Sequence, residues 1–87
     1  MERTSNNCKA YIIKGVSHAG EFVDQYFLKS IQKGYFSTTS HIWSSLFIMS
    51  RNRAFNLKMW CESIDPTIEW IVCELEMPAP KELKQNL

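Results

Sequence analysis

Residues 67–76, Thr-Ile-Glu-Trp-Ile-Val-Cys-Glu-Leu-Glu, are β-branched, aromatic and apolar at both odd and even positions. A strand of that kind has two faces to bury, so it predicts a central place in a sheet with a covering layer. Only one such core can be built. A chain of 87 residues buries about 60 % of its extended-chain surface. Composition still argues for folding, because 45 % of residues are hydrophobic and 13 % aromatic, against three Gly and three Pro.

The remaining elements are read around that strand. Residues 9–14 hold Ala10-Tyr11-Ile12-Ile13, an apolar β-forming run closed by Gly15. Ser17 is a candidate cap for a helix starting near Ala19, with Glu21 in its first turn. Phe22, Tyr26, Phe27 and Ile31 recur at helical spacing, and Gly34 follows Lys33 as a left-handed terminal residue. Residues 43–50 suit a strand through Leu46, Phe47, Ile48 and Met49, and Arg51-Asn52 suits a hairpin turn. The return strand alternates, with Phe55, Leu57, Met59 and Cys61 on one side and Asn56, Lys58, Trp60 and Glu62 on the other. Residues 63–66 break it, and Met77-Pro78-Ala79-Pro80 ends the last strand. The expectation is a single α+β domain over 1–87, with tails at 1–8 and 81–87. Its order is strand, helix and three further strands, and one main helix covers a mostly antiparallel sheet of about four strands.

Net charge is +1 and unevenly spread. Up to Trp60 there are eight Lys/Arg against three acids; from Cys61 onward there are two Lys against six acids. This asymmetry points to a polyanionic partner for the basic part, although a segregated solvated surface produces the same pattern. Cys8, Cys61 and Cys73 make an odd number without CxxC spacing, and His18 and His41 add no ligand pattern. Neither a zinc site nor a disulfide framework is expected, and a reducing intracellular setting fits. No apolar stretch follows the N-terminus and no run nears the ~20 residues of a membrane span, so neither a leader nor an anchor is expected.

Catalytic groupings are not evident. There is no Gly-rich phosphate loop, no Cys-His or Ser-His-Asp spacing and no carboxylate pair with a task, so neither an enzyme nor a cofactor is expected. What remains is basic and aromatic: Lys14, Arg51, Arg53 and Lys58 beside Phe36, Trp43 and Trp60. Lys and Arg neutralise phosphates, and aromatic rings take unstacked bases at about 1–3 kcal/mol each. Each ring considered by itself is more often a core residue.

Five strings carry a family resemblance. Lys9-Ala10-Tyr11-Ile12-Ile13-Lys14-Gly15 is similar to the opening strand of the YTH family of methyladenosine readers, an aromatic-apolar run followed by Ile-Lys-Ser. Gly34-Tyr35-Phe36-Ser37-Thr38 resembles that family's Gly-x-Trp-Ser-Thr segment. Leu46-Phe47-Ile48-Met49-Ser50 and Ala54-Phe55-Asn56 resemble its central strands, and Thr67 to Pro78 resembles its Phe-x-Val-Glu-Trp-Ile strand running into Leu-Pro. The resemblance implies a shortened YTH/PUA-like domain that binds single-stranded RNA and reads N6-methyladenosine in an aromatic cage. It puts Phe36 at the first cage position and leaves Trp60 as the ring nearest the second. Lys14 and Ser37 carry over, and Ser17 is a polar group available to the base. Arg51 and Arg53 are then expected on phosphates.

Two other classes stay open. Ser37-Thr38-Thr39-Ser40 and the later Glu74-Leu75-Glu76 are similar to the Ser-Thr-Ser and Glu-x-Glu elements of ADP-ribosyltransferases. A protein-interaction domain without a nucleic-acid ligand is the third reading, with self-association through exposed sheet edges.

Overall fold

The computed structural model describes residues 7–78. Strand β1 (Asn7–Ala19) turns at Gly20-Glu21 into β2 (Phe22–Gln32), and Lys33-Gly34 leads to β3 (Tyr35–Thr39). A 3₁₀ turn at Ile42–Ser44 and an extended link precede helix α1 (Arg51–Ile64), and β4 (Glu69–Pro78) closes the domain. All strand pairs are antiparallel, in the spatial order β3-β2-β1-β4. The class is α+β, with four strands and one main helix.

The helix, however, lies in a different segment from the one expected, and the order is three strands, helix, strand. The expected helix around 19–33 is the β1–β2 hairpin and the length of β2. Two spacings compete there. Phe22, Tyr26 and Ile31 fit a helix, but Phe22, Tyr26 and Leu28 also fall on one face of a strand, with Val23 and Phe27 on the other. Gly20 at φ 65 supplies the positive first position of a tight hairpin turn, which decides for the strand. Gly34, at φ 78, does adopt the left-handed conformation expected of it, but in a second hairpin turn and not at a helix end.

The reverse exchange occurs at 51–64. Arg51-Asn52 is no hairpin turn; it opens α1, whose Ser50 cap accepts a hydrogen bond from the Arg53 backbone N–H at 3.3 Å. The alternation from Phe55 to Cys61 fits a strand, yet Ala54, Leu57, Cys61 and Ile64 recur at helical spacing, and all four are buried or half-buried against the core. Met, Leu, Lys, Ala and Arg are also good helix formers. Residues 43–50 form no strand; they hold the 3₁₀ turn and a link with one bridge, Tyr11 to Ile48.

Helix α1 covers one sheet face. Beneath it lie Tyr11 and Ile13 of β1, Leu28 of β2, Phe36 of β3 and Trp70 of β4, packed against Ala54 and Cys61. Gly15 lies on this face because a Cβ there would come within 2.7 Å of the Tyr26 ring and 2.9 Å of the Trp70 ring. Residues 67–76 hold the expected strand, but β4 is an outer strand of the sheet and not a central one. Phe22 and Ile31, expected under a helix, are 77 % and 45 % exposed.

One irregularity opens the sheet. The β1–β2 pairing runs only as far as Lys14–Phe27, and a bulge between Leu28 and Ser30 turns β2 away toward β3. Segment 46–48 fills the opening. Leu46 donates its N–H to the Leu28 carbonyl, and Tyr11 and Ile48 exchange two backbone hydrogen bonds, all 2.8 Å.

Candidate binding groove

That anchored link, the first three turns of α1 and the far end of β2 enclose an open groove of about 700 Å³. Leu46, Phe47, Ile48, Met49 and Ser50 form one wall and Ile31 closes an end. Arg53, Asn56, Leu57 and Trp60 form the other wall. They are spaced i, i+3, i+4 and i+7, so they make one stripe along the helix. At 1.5 Å rise per residue the stripe runs roughly 10 Å from Arg53 to Trp60. The lining is mainly apolar, and its polar groups are a guanidinium, a carboxamide and a hydroxyl.

Among the described residues, no carboxylate lines the groove. From Gln25 to Cys61 the sequence contains Lys29, Lys33, Arg51, Arg53 and Lys58 and not one Asp or Glu, and every lining residue belongs to that stretch. The start of α1 adds to this positive field. Its first turn has no acidic residue to offset the N-terminal dipole and instead carries Arg51 and Arg53. The Arg51 guanidinium rests over the Phe55 ring, 5.6 Å from its centroid, so its alkyl stem and charge are held near the helix surface. Lys58 pairs with Glu62 one turn on, at 2.9 Å.

The seven residues expected at an RNA site do not form one cluster. Arg53 and Trp60 line the groove together; Arg51 opens the same helix but does not line the groove, and its guanidinium lies over Phe55 on another side of α1. Phe36 is 6 % exposed and meets Trp60 and Trp70 edge-on, at 6.2 and 5.1 Å between ring centroids. It is a core ring with no free face for a base. Ser37 points away from that core, its hydroxyl hydrogen-bonded to Ser30. Lys14 pairs with Phe27 and Ile71, and by strand alternation its side chain lies on the sheet face opposite α1. Ser17 lies toward the β1–β2 turn, opposite Asp24 of β2.

Several groove residues were not singled out by sequence reasoning: Ile31, Phe47, Met49 and Asn56. The signal that marks them is the acid-free stretch itself, longer than any single motif. Elsewhere among the described residues, burial pushes the Cys61 thiol up to about 11, with Glu62 adding to the shift. Tyr26 is also raised, first by burial and then by nearby Asp65 and Asp24, although the polar Ser17 side chain acts the other way. Neither group lines the groove. Among the described residues no three His, Cys, Asp or Glu side chains come together as metal ligands, and no helix is long and apolar enough to cross a membrane.

No family model, no curated protein and no solved structure matches the chain.

Proposed function

We propose that the protein is a non-catalytic module that binds single-stranded RNA in the groove between α1 and segment 46–50. The observation that carries the proposal is the coincidence of groove and charge. An apolar slot with an aromatic wall opens inside the one long part of the chain that has five cations and no anion. An unpaired base has the flat apolar body that Trp60 and Phe47 can flank, and its phosphate has the charge that Arg53 attracts, with Arg51 adding to the positive field of the helix start. The uncompensated cations at the helix start support the same reading. Two Arg in a first turn oppose the dipole at about 0.3–1 kcal/mol each, a local cost that a bound anion would offset.

Methyl recognition, which the family resemblance implies, would need a cage built without Phe36. The proposal is therefore for unpaired bases in general. A second reading, a groove for an apolar protein segment, is favoured by its aliphatic lining of Ile31, Leu46, Ile48, Met49 and Leu57.

Fluorescence anisotropy with a labelled unstructured RNA, titrated across several salt concentrations, tests the proposal. Binding should weaken as salt rises. Arg53→Ala should lower the logarithmic salt slope by about one, while Lys14→Ala on the far face should leave it unchanged. Equal losses from both substitutions would remove the groove as the site. No affinity for RNA by the folded protein would leave the protein-binding reading.

A further inference from the structure

The groove does not end at its walls. Phe47 lines it, and on the other side of Phe47 lies Trp43, with ring centroids 6.1 Å apart and planes tilted by 45°. Trp43 is 73 % exposed, among the most exposed large apolar side chains described. The other two Trp are used differently: Trp70 is in the core, and Trp60 packs against Phe36 while lining the groove.

An indole left in water at this level gains little from folding. The backbone that carries it is nevertheless held, because the 3₁₀ turn is closed by two backbone hydrogen bonds. Ser44 donates its N–H to the His41 carbonyl at 2.9 Å, and Ser45 donates to Ile42 at 3.1 Å. Leu46, just beyond, is tied to β2. Trp43 is thus an aromatic surface held beside the groove mouth, and it too belongs to the acid-free stretch.

Resting on the RNA reading, we propose that Trp43 is a second stacking platform. One base enters the groove against Trp60 and Phe47, and a neighbouring base of the same strand stacks on Trp43. The ligand is then a run of several unpaired nucleotides and not a single nucleotide. Recognition at Trp43 is indifferent to base identity, since every base offers a π face.

The test compares a labelled mononucleotide with a labelled unstructured octanucleotide, on wild type, Trp43→Ala and Trp43→Phe. Wild type should bind the octanucleotide more tightly. Trp43→Ala should lose about tenfold on the octanucleotide and nothing on the mononucleotide, and Trp43→Phe should recover most of the loss. An exposed ring is dispensable for folding, so all three proteins should melt alike. Unchanged octanucleotide affinity in Trp43→Ala would overturn the platform and leave the RNA reading standing. Failure of wild type to bind either ligand would overturn both.

Discussion

Phe36 and Trp43 lie seven residues apart in one aromatic-rich stretch, yet the first is 6 % exposed and the second 73 %. Phe36 is on β3, on the face that α1 covers, with two tryptophans edge-on to its ring. Trp43 is on a 3₁₀ turn that leads away from the sheet. Composition treats the two rings alike, and only the element beneath each tells them apart. The sheet–helix interface and the groove rim are therefore two aromatic regions that differ in burial, with Trp60 shared between them. The first holds the domain together, and the second presents the Trp43 ring to solvent.

The sharpest way to break that comparison is to remove a ring from the interface. Phe36→Ala should cost about 3–5 kcal/mol, from lost burial and the cavity left between Trp60 and Trp70. That is much of the stability expected of a domain this small. Urea denaturation should show a large drop in midpoint or an unfolded chain. A near-wild-type midpoint would mean that Phe36 is not a core residue.

A smaller effect comes from Cys61, which packs in the same interface and is fully buried. Its thiol ionises near 11 when folded against a reference of 9.0. The folded state therefore favours the protonated form. The associated stability is fully present below pH 9 and is lost as pH rises toward 11, by about 2–3 kcal/mol at 1.36 kcal/mol per pKa unit. The raised Tyr26 adds a loss of the same sign above its reference of 10.0. Unfolding free energies measured across this range should fall more gently in Cys61→Ala. Parallel slopes in the two proteins would contradict the burial.

The class of fold was legible, since residues 67–76 require a sheet and a chain of this length has room for one main helix. The place of the helix was not. Both 22–32 and 51–64 carry apolar residues that satisfy periods of two and of about 3.6. Local cues settle them: Gly20 with its positive φ in one case, and Ser50 as a cap in the other. Of the candidate site, Trp60 and Arg53 could be chosen by residue type. Phe36, Lys14, Ser17 and Ser37 could not be sorted without knowing which face of which strand each occupies. Asn56 and Leu57 join the groove only once α1 is known to be a helix, because a strand would set these neighbours on opposite faces. The bulge after Leu28, which lets segment 46–48 into the sheet and so creates the groove, has no one-residue signature.

If the two regions differ in this way, ligand binding belongs to the rim and not to the interface or the far face. Backbone and indole chemical-shift mapping during titration with an unstructured RNA separates these surfaces residue by residue. Shifts should concentrate at 46–50, at Arg53, Asn56 and Trp60, and at the Trp43 indole, while Lys14, Phe27 and Ile71 stay still. Shifts centred on that opposite sheet face, or none at all with saturating RNA, would contradict a binding rim.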